Sequence, residues 1–262
     1  MNKVYFLVSI VLFTLASCTV NNAKINNSFK KYFDSAHVEG SFSFLNNQVG
    51  DITVYNMKMD TERVSPGTSF KILNTLIGIQ TGNIENENTV IKDNADTNNI
   101  SLVKAFKNSV VPYFQALARK IGKDSMRLWI DSISYGNKNI SGPLDSFWLN
   151  NQLKISPDEQ LGFMSKLYFS QLPFQKYAQQ MVQDQMLQED NTLYKYSYAT
   201  GTFTDEKNDP NAWLVGWIEE NRHVYFFVTY LKSENKNQDL IKDAIHINRS
   251  ILQEMGFFKG EK

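Results

Sequence analysis

The chain has 262 residues, 42% hydrophobic and 13% aromatic, which excludes a disordered or fibrous protein and allows one sizeable core. Lysine plus arginine and aspartate plus glutamate each number 27, so net charge gives no reason to expect nucleic acid or an acidic lipid surface as a partner. A single cysteine, Cys18, excludes an internal disulfide.

The first segment reads as a leader. Lys3 precedes a largely apolar run over residues 4–16, and Leu15-Ala16-Ser17 leads into Cys18. About thirteen such residues are too few for a permanent membrane span, which needs roughly twenty, but they suit the apolar region of an export signal. Small residues ending on the lone cysteine have the form of a bacterial lipoprotein processing site. Residues 1–17 are therefore expected to be a signal peptide, Cys18 the lipid attachment point and residues 18–27 a polar, asparagine-rich tether. The expected location is exported and membrane-anchored, facing the periplasm or the cell surface.

Residues 28–262 read as one domain. Phe29, Tyr32 and Phe33 have helical spacing within residues 28–36, and residues 41–45 and 51–55 alternate with period two as a hairpin around Asn46-Asn47 and Gly50. Pro66-Gly67 opens a buried helix carrying Phe70, Leu73 and Ile77, stopped by Gly82. Residues 101–169 are mainly helical, broken at Pro112, Tyr135-Gly136-Asn137, Ser141-Gly142-Pro143 and Ser156-Pro157. Residues 194–201, 213–219 and 223–231 read as successive antiparallel strands, and residues 239–255 as a helix closed by Gly256. Strands at both ends with helices between imply an α+β fold in which the two termini build one sheet around a mainly helical insert.

Four short patterns carry chemistry: Pro66-Gly67-Thr68-Ser69-Phe70-Lys71, Ser109-Val110-Val111-Pro112, Tyr135-Gly136-Asn137 and Ala199-Thr200-Gly201. With Phe147-Trp148-Leu149, Leu153-Lys154-Ile155-Ser156-Pro157 and Trp213 with Val215-Gly216-Trp217, they give the chain a close resemblance, in order and spacing, to the class D β-lactamases. The resemblance implies a five-stranded antiparallel sheet flanked by helices, with the site where sheet and helical insert meet.

In that family the first motif is Ser-x-x-Lys at a helix start, where residues three apart share a face and apolar neighbours lower the lysine pKa. Here Lys71 matches the lysine, the family's general base, and Thr68 stands at the nucleophile, keeping the hydroxyl but adding a β-branch. Ser69 points elsewhere on the helix. Ser109 matches the proton-shuttling serine; read from the residues alone it is equally a helix cap. Trp148 matches the tryptophan that holds a lysine carbamate, and Tyr135 and Asn137 belong to a substrate-side motif that turn formation alone also explains.

The fourth motif departs most. The family's lysine is replaced by Ala199, while Thr200 and Gly201 remain to offer a strand edge to an acyl-amide ligand. Lys195 lies roughly 13 Å along the strand, too far to substitute. The arginine that binds the substrate carboxylate falls by spacing at Ala244, beside Asp243, which would repel an anion. His223 and His246 have no second ligand at metal spacing, and no metal or cofactor is implied beyond carbamylation of Lys71 by CO2, which the resemblance admits.

Two functions follow. The first is a penicillin-binding-type envelope lipoprotein whose β-lactam hydrolysis is weak or absent, because three catalytic or binding positions change together and such residues act as a unit. The alternative is an active β-lactam hydrolase using Thr68 as nucleophile and Lys71 as general base. Either way the implied ligand is a β-lactam or a peptidoglycan-like acyl amide, the membrane is reached through lipid on Cys18, and no nucleic acid is involved.

Overall fold

The structure is a computed structural model that describes residues 23–92 and 99–262, so the leader and Cys18 lie outside the described residues. Strand β1 (Ala23–Ile25) is followed by a 3-10 turn (Asn27–Phe29), α1 (Lys30–Ala36) and the hairpin β2 (Glu39–Asn46) and β3 (Asp51–Tyr55). Then come α2 (Met57–Thr61), a 3-10 turn (Gly67–Phe70) continuous with α3 (Lys71–Gln80), α4 (Leu102–Lys107), α5 (Val111–Ile121), α6 (Lys123–Ser132), α7 (Pro157–Tyr168) and α8 (Lys176–Met186). The chain closes with β4 (Leu187–Asp190), β5 (Tyr194–Thr204), β6 (Pro210–Glu220), β7 (His223–Lys232) and α9 (Leu240–Glu254).

The expected five-stranded antiparallel sheet is corrected. The described residues form one seven-stranded mixed sheet in the order β1-β3-β2-β7-β6-β5-β4. Its middle five strands pair antiparallel, and β2 against β7 joins the two ends of the chain as the terminal strand patterns imply. Two short edge strands complete it: β1 pairs parallel to β3, and β4 pairs antiparallel to β5. β1 lies in the stretch read as tether. Three residues are too few for a period-two pattern to register, and their pairing depends on the neighbouring edge rather than on their own side chains.

The sheet is covered on both faces, which is why β6 and β7 are apolar almost throughout rather than alternating. Val215 pairs with Val228, and this face, with Trp213, Trp217, Phe226 and Tyr230, packs against the helical insert around α3. The opposite face, with Leu214, Ile218 and Phe227, packs against α1 and α9, whose Leu240, Ala244, Ile247 and Ile251 form the inward stripe. α3 is buried on nearly every side, the condition of a helix apolar all round. α7 begins with a capping box between Ser156 and Glu159, and Arg63 forms an ion pair with that glutamate, so the approach to the first motif is anchored to the helix start.

Candidate active site

The first motif is held by contacts that allow no side chain at two positions. Gly67 has φ +53°, and a Cβ there would lie 2.3 Å from the Thr202 carbonyl oxygen. At Gly201 a Cβ would lie 2.2 Å from the Ser69 nitrogen. β5 therefore runs directly against the turn that presents Thr68, and Gly201 of the fourth motif exists for this approach. Behind the turn, the Trp148 carbonyl accepts from Gly67 N (3.0 Å) and Ser65 Oγ (2.7 Å), and Trp213 Nε1 donates to Ser65 O at 2.9 Å. The Trp148 ring stacks on Phe70 at 5.1 Å.

Lys71 follows at the start of α3 and is 3% exposed. Its Nζ donates to Ser109 Oγ at 2.5 Å and sits 5.1 Å from the centre of the Phe106 ring. No carboxylate pairs with it among the described residues, and burial pulls its amine down to about 7. Thr68 Oγ1 accepts from the Thr202 backbone N–H at 2.9 Å. The structure thus joins Lys71 to Ser109 and Thr68 to β5, with all four groups at one junction of sheet and insert.

Ser109 is not a helix cap. The residue flanking α5 is Val110, which caps with no side chain, while Ser109 has φ +50° in the left-handed region that L residues avoid. That backbone costs about 1–3 kcal/mol, and it aims the hydroxyl at Lys71. Val110 packs against the core cluster.

The visible contacts of the Tyr135-Gly136-Asn137 motif lie behind the site. A Cβ at Gly136 would lie 2.0 Å from Lys154 O, and Asn137 bonds to the backbone of Gln152 and Lys154 through its side chain. Tyr135 is buried, its phenol raised in pKa by that burial, and receives a hydrogen bond from Gln160 (3.2 Å), whose amide also reaches Ser69 Oγ (3.4 Å). Ser69 itself donates back to Pro66 O.

Beside Lys71 opens a cleft of about 230 Å³ lined by Ala199 and Thr200 of β5. Sequence reasoning missed its other walls: Phe106, Lys107 and Asn108 at the end of α4, Gln185 and Gln188, and Ile241 and Ile245 on α9. None stands in a motif; only the fold brings these elements together. Ala244 turns inward, 0% exposed in the core under the sheet, and Asp243 accepts from Gln238 outside the cleft. Lys195 is paired with Asp190 (3.0 Å), and His223 and His246 are exposed. Among the described residues the β5 edge beyond Ser197 carries no strand partner on its β4 side, and Gln188 Nε2 donates to the Tyr198 carbonyl there (3.1 Å).

A carbamate on Lys71 fits these surroundings: the amine is buried, paired with no carboxylate among the described residues and next to the Ser109 hydroxyl. No group of three or more histidine, cysteine or acidic residues suited to a metal occurs among the described residues.

Residues 26–253 match the model of the penicillin binding protein transpeptidase domain. The chain is 34% identical over 235 residues to the probable β-lactamase YbxI of Bacillus subtilis, covering 85% of each. It is similar in structure to FUS-1 (OXA-85), a class D β-lactamase from Fusobacterium nucleatum subsp. polymorphum, with TM-score 0.83 and 32% identity over 90% of this chain and all of that one. The C-terminal domain of the Bacillus licheniformis BlaR penicillin-receptor superposes with TM-score 0.80 at 26% identity, covering 90% of this chain and 97% of that one.

Proposed function

Because the chain belongs to the class D β-lactamase family, we propose that it is an acyl-transfer hydrolase of β-lactams or related acyl amides, with Thr68 as nucleophile and Lys71 as general base. The observation that carries this reading is the buried Lys71 amine, with a pKa of about 7 and a hydrogen bond to Ser109. An ordinary lysine at neutral pH is protonated and cannot accept a proton, whereas this one is neutral in a large fraction of molecules. This weighs against the reading the sequence favours, in which the chemistry is lost.

In the forward step the Thr68 hydroxyl adds to the substrate carbonyl carbon and its proton passes to Lys71. The Thr202 N–H, already directed at Thr68 Oγ1, is placed to donate to the oxygen that gains charge. Ser109, bonded to Lys71, returns a proton to the amide nitrogen as the carbon–nitrogen bond breaks. The same base then activates water to cleave the acyl ester on Thr68. Carbamylation of Lys71, when present, supplies a carboxylate base on the same side chain.

A second reading is a receptor that is acylated and holds the adduct. Two observations favour it: the Lys71 hydrogen bond goes to Ser109 rather than to Thr68, and the fold is similar to the BlaR penicillin-receptor domain. Intact-mass analysis with benzylpenicillin and bicarbonate separates the cases. A transient adduct on Thr68 with hydrolysis above the buffer rate supports the enzyme, a persistent adduct supports the receptor, and no adduct removes both.

We propose in addition that residues 1–17 are a cleaved signal and that the mature protein is held at a membrane by lipid on Cys18. Among the described residues no helix is long and apolar enough to cross a membrane. Cys18→Ala should release the protein into the soluble fraction, and an unlipidated N-terminus found elsewhere by mass spectrometry would remove the anchor.

A further inference from the structure

The cleft beside Lys71 has lost both cations that the family resemblance places against a substrate carboxylate, yet it is not neutral. Its lining contains Lys71 and Lys107 and no aspartate or glutamate. Ala199 and Ala244 supply no charge, and the remaining polar lining consists of uncharged amides and hydroxyls, among them Asn108, Gln185 and Gln188. We propose that Lys107 supplies the cation that meets the carboxylate of an anionic acyl substrate, so that substrate charge is read from the α4 side of the cleft. The inference rests on the acyl-transfer reading above and names its substrate class.

Three observations place the charge at Lys107. It ends α4, one residue after Phe106, whose ring covers the Lys71 amine, so helix geometry fixes its backbone next to the base. It is exposed and takes part in no ion pair among the described residues, so no neighbour cancels its charge. The competing groups are engaged elsewhere: Lys195 with Asp190, and Asp243, expected from the sequence to repel an anion, with Gln238 outside the cleft. Lys71 cannot take both roles, because a base that accepts the nucleophile's proton must be uncharged when the substrate arrives.

The test separates recognition from chemistry by using the full-length protein carrying Thr68→Ala, which has no nucleophile to acylate. Dissociation constants are measured by titration calorimetry for benzylpenicillin and for its uncharged methyl ester, with Lys107 kept, changed to Gln and changed to Arg. The expected result is that Lys107→Gln weakens the anion about fivefold, Lys107→Arg keeps it, and the ester changes with neither. Raising salt should weaken the anion when position 107 carries a cation, in the parent and in Lys107→Arg, and not in Lys107→Gln. Equal affinity for anion and ester with Lys107 present, no detectable anion binding, or equal weakening of both ligands by Lys107→Gln would overturn the inference. If the unmodified protein forms no adduct while the Thr68→Ala protein still binds the anion through Lys107, the acyl-transfer reading fails and the Lys107 assignment stands.

Discussion

Thr68 Oγ1 accepts a hydrogen bond from the backbone N–H of Thr202 at 2.9 Å, so the proposed nucleophile rests on the donor that acyl transfer there would require for the substrate oxygen. Attack needs the hydroxyl to turn from β5 toward Lys71, and the β-branch restricts the rotamers through which it can turn. Thr68→Ser keeps the oxygen and removes the γ-methyl. The expected outcome is acylation by benzylpenicillin faster by about tenfold or more, with Thr68→Ala giving no adduct. A time course of intact mass reads this directly, and an unchanged rate in the serine variant would show that the methyl group is not what limits attack.

Lys71 gives a pH dependence of defined sign. Its folded pKa, about 7, lies below the ordinary lysine value, so between about pH 7 and the ordinary value the unfolded chain holds a proton that the folded chain does not. Stability therefore rises with pH across that window, and the penalty of burying the amine is complete below it. Lys71→Met should raise stability by a few kcal/mol at pH 6, with the gain shrinking toward pH 10. Asp60, also raised to about 7 by burial, cancels when variant and parent are compared at the same pH. Urea melts at three pH values supply the measurement. A variant no more stable than its parent at pH 6 would mean the amine is solvated or paired. In the same window, acylation of the parent should increase with pH as Lys71 loses its proton.

The order of the motifs made the general α+β fold legible in the sequence, and Lys71 and Ser109, both singled out there, are hydrogen-bonded to each other. What stayed hidden has physical causes. β1 and β4 are three and four residues long and owe their existence to edges offered by β3 and β5, a property of the neighbours and not of their own sequences. The stretch read as tether holds a strand at Ala23–Ile25 for that reason. Phe106, Lys107 and Ile245 are separated by up to 139 positions and meet only because α4, β5 and α9 converge. Asn137 was readable as a motif residue, but its side chain serves the backbone of Gln152 and Lys154. Motif matching identifies a position; it does not say which way a side chain turns.

The close approach of β5 to the first motif predicts a sharp difference between two glycines. At Gly201 an added Cβ meets the Ser69 backbone nitrogen at 2.2 Å, whereas at Gly162, inside α7, nothing lies within 4 Å. Gly201→Ala must push β5 away from the turn, and should cost about 1–3 kcal/mol and abolish acylation by moving Thr202 from Thr68. Gly162→Ala should stabilise by roughly 0.5–1 kcal/mol through helix propensity and leave acylation intact. Thermal melts and adduct formation on both variants check the pair, and equal behaviour would mean the strand can yield.

Returning charge to the cleft depends on which face of α9 receives it. By spacing the family's arginine falls at Ala244, but that residue is 0% exposed and packs with Leu240 and Ile247 under the sheet, whereas Ile245 lines the cleft. Ala244→Arg therefore inserts a cation into a filled core, and should cost about 1–3 kcal/mol of stability or more without tightening penicillin. Ile245→Arg adds a guanidinium to the same cleft lining as Lys107, where one carboxylate would meet two cations. In the Thr68→Ala protein it should tighten benzylpenicillin by about fivefold and leave the methyl ester unchanged. Ala199→Lys would set a second ammonium beside Lys71 and push the pKa of that amine lower still, so its effect should appear in the pH profile as well as in affinity. The coupling carries the most information. If Lys107 and an arginine at position 245 bind the same carboxylate, the gain from Ile245→Arg should differ between the parent and the Lys107→Gln background, so that the double variant departs from the parental affinity that simple addition of the two effects gives. Strict additivity would place the two charges at separate points on the ligand. Tighter binding in Ala244→Arg would show that α9 turns its other face to the cleft when substrate is bound.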